Sequence, residues 1–115
     1  MVGLLSMKKF FQVDTMSKIK NKVFSQWISI AIEINQLLPN VPVLSCPNCH
    51  RQPIDFQFVG DVQTRIGYMA IWCPFCLHGV HLSRVRISDK IPDTSFDIPI
   101  EEISKRIPNF THVKP

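Results

Sequence analysis

Cys46-Pro-Asn-Cys49 and Cys73-Pro-Phe-Cys76 hold all four cysteines of this 115-residue chain, in the pattern C-x2-C-x23-C-x2-C. A C-x-x-C loop can turn both of its sulfurs onto one point. Two such loops, held side by side by a hairpin, offer four thiolates in a tetrahedron. Zn²⁺ accepts that donor set, with Zn–S near 2.3 Å. The spacing therefore predicts one structural zinc ion on Cys46, Cys49, Cys73 and Cys76, with a long hairpin between the two loops.

Other chemistries use the same residues. A disulfide framework needs an oxidising compartment and is usually denser in cysteine. The opening Met1-Val-Gly-Leu-Leu-Ser-Met-Lys-Lys-Phe10 places its lysines after a very short apolar run. A secretory signal has the reverse order, so a reducing cytoplasm is the expected setting. Iron in a rubredoxin-like site and a dithiol redox pair remain as lesser alternatives. Trp72-Cys73-Pro-Phe-Cys76 resembles the Trp-Cys-x-x-Cys of thioredoxin-like proteins. That chemistry needs a helix directly after the second cysteine to lower the thiol pKa. Here Leu77-His-Gly-Val-His-Leu82 alternates like a strand instead.

The chain reads outward from the cysteines as one domain over 1–115, with a helix at 15–38, a metal-bearing sheet at 43–88 and a tail at 89–115. Ile54-Asp-Phe-Gln-Phe-Val59 and Ile66-Gly-Tyr-Met-Ala-Ile-Trp72 alternate with period two around the turn-rich Gly60–Thr64. That predicts an antiparallel hairpin, with a third strand over Val80–Ile87. Ile54, Phe56 and Phe58 share one face, as do Ile66, Tyr68, Ala70 and Trp72. The aromatic face could stack single-stranded bases. Covering it with the helix is the favoured expectation, because an amphipathic helix needs an apolar partner.

Ile19, Val23, Trp27, Ile30, Ile34 and Leu37 recur at steps of three and four and form the helix's apolar stripe. Asp14, Thr15 or Ser17 can cap its start, and Pro39 ends it. Lys18, Lys20 and Lys22 near its start are expected to be a solvated face. In the tail, Asp97–Ile107 predicts a short helix, with Pro99, Glu101 and Glu102 early and Lys105 and Arg106 late. The expected fold is α+β: a small three-stranded antiparallel sheet against an N-terminal amphipathic helix, with a short C-terminal helix.

From Cys46 to about Ile87 the chain resembles the zinc-ribbon (rubredoxin-like) superfamily, on Cys46-Pro-Asn-Cys49 and Cys73-Pro-Phe-Cys76 flanking a hairpin. The resemblance implies a structural zinc and attachment to transcription, translation, replication or protein-binding machinery. Many ribbons place glycine directly after the second cysteine of each knuckle, where a positive φ aims backbone N–H groups at sulfur. His50 and Leu77 stand there in this chain, which predicts looser or differently wound knuckles.

No catalysis is expected. Four cysteine ligands leave a zinc site closed. The only glutamates are Glu33, Glu101 and Glu102, so there is no His-x-Glu of a zinc deaminase. His50, His78, His81 and His112 suggest no catalytic set. No uncharged apolar run is long enough to span a membrane, and no small-molecule substrate is expected. Formal charge is +4, and four thiolates around Zn²⁺ would lower it to about +2. Two functions remain. One is a protein-interaction module, such as an adaptor, an inhibitor or an immunity-type protein, with Phe10, Phe11 and Phe24 as a contact patch. The other is a nucleic-acid-binding ribbon using Arg51, Arg65, Arg84 and Arg86. The weak net charge gives the protein partner a small edge.

Overall fold

Trp27, Ala31, Ile34 and Leu38 follow one another at steps of four, three and four, and all four are buried. They form the inner stripe of helix α1 (Lys22–Leu37) in a computed structural model that describes residues 22–115. The expected start of this helix, its capping residues, Lys18, Lys20, Phe10 and Phe11 lie outside the described residues. The helix stops before Pro39, with the Leu38 amide still donating to the Ile34 carbonyl at 3.1 Å.

Strands β1 (Asp55–Gly60), β2 (Ile66–Trp72) and β3 (His78–Arg86) form the expected antiparallel meander. The sheet does not end there. A two-residue strand β4 (Thr111–His112) pairs parallel with the start of β3, placing His78 opposite Thr111 and Gly79 opposite His112. The sheet therefore has four strands in the order β1-β2-β3-β4, and it is mixed. This corrects the expected three-stranded antiparallel sheet. Two residues are too few to alternate visibly, and a parallel partner lies far away in sequence. The tail also holds two short helices where one was expected, α2 (Asp93–Phe96) and α3 (Ile100–Arg106).

Register decides which face of the sheet the helix covers. Phe56 lies opposite Ile71, Phe58 opposite Met69, and Ile71 opposite Val80. Residues directly opposite in an antiparallel pair share a face. This inner face packs against Trp27, Ala31 and Ile34 in one apolar cluster. Tyr68, Ala70 and Trp72 therefore point to the other side, away from α1. The expectation that α1 covers them is overturned. Either face could have taken the helix on alternation alone. The inner face won because Phe56, Phe58, Met69, Ile71 and Val80 present no hydroxyl or imidazole, whereas the outer face carries Tyr68 and His81.

Residues 100–112 close part of that outer face. Arg106 donates to both carboxylate oxygens of Asp55 at 2.8 and 2.9 Å and lies 5.2 Å from the Trp72 ring centre. Phe110 stacks on Trp72 from the same side, at 6.2 Å. The result is a sheet with a helix on one face and an irregular tail on the other.

Candidate metal centre

The two cysteine loops are wound alike. The Cys46 amide donates to the Arg51 carbonyl at 2.8 Å, and the His50 amide returns to the Cys46 carbonyl at 2.8 Å. In the second loop the Cys73 amide donates to the His78 carbonyl, and the Leu77 amide to the Cys73 carbonyl, both at 2.9 Å. Both loops turn through a left-handed residue, His50 at φ 65° and Leu77 at φ 55°. The glycine-free knuckles are thus not differently wound. They keep the positive φ at a cost of about 1–2 kcal/mol each, because a Cβ crowds the carbonyl oxygen there.

That winding aims amides at the sulfurs. Asn48 N–H lies 3.2 Å from Cys46 Sγ, and Phe75 N–H lies 3.4 Å from Cys73 Sγ. Arg51 N–H serves Cys49, and His78 N–H serves Cys76. Each of the four sulfurs therefore accepts from the amide two residues ahead. Across the loops, Cys46 Sγ lies 3.6 Å from Cys76 Sγ, and Cys49 Sγ lies 3.6 Å from Cys73 Sγ. All four sulfurs lie within 4.8 Å of one another. These contacts exceed the ~2.05 Å of a disulfide. They are close to the ~3.8 Å edge of a sulfur tetrahedron with a metal at its centre.

Electrostatics makes such a cluster unstable without a cation. Burial pushes the Cys46 thiol up. Burial also pushes Cys76 up, to about 12, against the pull of the His78 amide. The Arg51 amide pulls Cys49 down, to about 7. Four thiolates at this distance would repel one another, so only a bound cation lets all four ionise together. The donor set and the four N–H···S contacts fit a metal ion, and Cys46, Cys49, Cys73 and Cys76 could hold it.

The site is anchored to the core. Cys46 and Cys73 are fully buried within the apolar cluster, whereas Cys49 and Cys76 are partly exposed. Trp27 Nε1 donates to Asn48 Oδ1 at 2.8 Å and so ties α1 to the first loop.

The four candidate arginines do not form one strip. Arg51 is exposed beside the first loop and lies 5.8 Å from the ring centre of Phe75 in the second. The Arg65 side chain is only 17% exposed. It donates to the Ser88 and Ile91 carbonyls at 2.7 Å and pairs with Asp93 at 2.6 Å, over the Phe96 ring. It staples the β1–β2 turn to residues 87–96. Arg84 and Arg86 are exposed on β3.

One group escaped the sequence reading. Tyr68, His81, His112 and Phe110 line a groove of about 500 Å³ between the outer sheet face and α3. The alternation of His81 between buried Val80 and half-buried Leu82 was a usable signal. The pairing of His81 with His112, 31 positions later, was not legible.

No helix among the described residues is long and apolar enough to cross a membrane. No family model, curated protein or solved structure matches the chain.

Proposed function

We propose that this chain is a non-catalytic, zinc-ribbon-like module in which Cys46, Cys49, Cys73 and Cys76 hold one structural Zn²⁺. The observation that carries this is the set of four sulfurs within 4.8 Å, each met by a backbone amide. Four soft thiolates favour Zn²⁺ or iron over oxygen-loving cations. When bound, the ion supplies cross-linking of the two loops and charge compensation. Four protein ligands leave no position for substrate. Among the described residues no second cluster of metal-binding side chains offers an alternative centre.

Such a module works by contact. Phe75 and Leu77, at 49% and 41% exposure, put apolar surface at the tip of the second loop. That supports a protein partner at the knuckle end. Elemental analysis of purified protein tests the metal. One zinc per chain supports the assignment, iron with its thiolate colour replaces it, and no metal overturns it. Removal of verified zinc by a strong chelator should then lower the melting temperature sharply, and an unchanged midpoint would refute the structural role. Wild type, but not Phe75→Glu/Leu77→Glu, should retain one defined protein from nuclease-treated lysate.

A further inference from the structure

β3 contains one residue more than its partner strand needs. Met69 lies opposite Leu82, but Gly67 lies opposite Val85, so the register shifts by one between them. The extra residue falls at Ser83–Arg84, opposite Tyr68, and Arg84 adopts φ 55°. In the unshifted register, Arg84 would lie opposite Gly67, on the inner face beneath α1. The bulge inverts the phase. Val85 turns inward to the apolar cluster, and Arg84 and Arg86 turn outward with Tyr68, Ala70 and His81.

A bulky residue in the left-handed region is strained, and here the strain presents a charge. Arg84 is exposed and makes no hydrogen bond or ion pair with the described residues. Arg86 is 70% exposed and reaches only an exposed Asp89, at 3.7 Å. These guanidinium groups sit at the end of a continuous run of rings. Tyr68 packs on His81 at 4.5 Å, His81 faces His112 at 6.2 Å, and His112 stacks on Phe110 at 4.8 Å. The run lines the groove of about 500 Å³, with the Asn109 amide beside it. Neither the Tyr68 hydroxyl nor the Asn109 amide has a partner among the described residues. From His81 to Arg84 is at most about 10 Å along the strand, less than two nucleotide steps of an extended single strand.

We propose that the outer face of the sheet binds single-stranded nucleic acid, with bases against Tyr68, His81, His112 and Phe110 and phosphates on Arg84 and Arg86. Flat rings accept any base face, and arginine pairs with phosphate by charge-assisted hydrogen bonds. The two arginines lie beyond the groove rather than inside it, so the site extends past one nucleotide and favours a strand over a free mononucleotide. This surface is separate from the apolar knuckle tip. It rests on the zinc clamp only insofar as the clamp holds β2 and β3 in order.

The test uses metal-verified full chain and a fluorescent single-stranded oligonucleotide of about ten residues, matching the footprint of such surfaces. Saturable binding is expected, with affinity falling as salt rises. Arg84→Gly removes the charge and also relieves the backbone, so the protein should melt no lower while affinity falls about tenfold. Arg84→Gly/Arg86→Gln should reduce the slope of log affinity against log salt by about two. His81→Ala should weaken binding roughly five- to fiftyfold. Absence of saturable binding by the folded, zinc-loaded protein overturns the proposal. So does binding that these substitutions leave unchanged, or equal affinity for a mononucleotide and the oligonucleotide. Zinc content and melting temperature, measured on every variant, separate a failed surface from a failed clamp.

Discussion

The two faces of the sheet carry the same secondary structure and opposite chemistry. The inner face is aliphatic and aromatic without polar tips, and α1 closes it, leaving Trp27, Ile34, Met69 and Ile71 fully buried. The outer face carries tyrosine, histidine and arginine, and the tail covers it only in part, leaving a groove. Stability therefore concentrates on one side and recognition chemistry on the other. The metal centre sits at the strand ends and serves both.

Breaking the centre should affect both faces at once and have the largest effect. Cys73→Ser should abolish metal retention and unfold the β1–β3 meander while leaving α1 partly helical. Structural zinc supplies on the order of 10 kcal/mol in small zinc-folded peptides. Metal content and circular dichroism against temperature will read this. A variant that melts like wild type would remove the centre from the stability account.

The inner face comes next. Trp27→Ala should cost about 3–5 kcal/mol, because it opens a cavity beneath Met69 and Ile71 and strands the Asn48 amide. Tyr68→Ala on the outer face should cost only about 1 kcal/mol, since its ring is half-exposed and its hydroxyl unpartnered. Denaturant melts of the pair test the asymmetry directly. Equal losses would show that the tail closes the outer face as firmly as α1 closes the inner one.

The ion pair fastening the tail is a smaller contributor. Burial raises the Asp55 carboxyl, but the hydrogen bonds from Arg106 and the Phe56 amide outweigh it and leave the group below its ordinary value of 3.8. The folded chain then binds fewer protons than the unfolded one near that value. The contribution is present above about pH 4 and is lost as pH falls through the depressed folded value. Both partners are about two-fifths exposed, so solvent screening leaves roughly 0.5–1 kcal/mol. Asp55→Asn should remove that step from the melting temperature measured against pH.

The smallest effect should be a gain. Leu77→Gly relieves the left-handed residue of the second knuckle, offset by glycine's greater freedom in the unfolded chain, for a net of about 0.5 kcal/mol. A rise in zinc-loaded melting temperature checks it, and a fall would show that Leu77 packs more firmly than its 41% exposure suggests.

Much of this was legible because it is local. The four sulfur donors stand at C-x-x-C spacing, so each pair is brought together by its own turn. The stripe from Trp27 to Leu38 follows the helical period, and β1 and β2 follow the period of two. Period two defines two faces without saying which one a helix will cover. That depended on pairing β1 with β2 and β2 with β3, which gathers Phe56, Phe58, Met69, Ile71 and Val80 on one side. The single extra residue at Ser83–Arg84 carries no signature of its own. It exists only relative to Met69 and Gly67 across the ladder, yet it decides that Val85 is core and Arg84 is surface. Strand β4, the Arg65 staple and the meeting of His81 with His112 likewise join residues 20 to 30 or more positions apart. The amino-acid sequence by itself determined the metal ligands, the helix and the hairpin, because short-range sterics and sulfur chemistry suffice for those. Only the tertiary structure decided the fourth strand, the covered face and the outward-facing arginines, because each depends on long-range register.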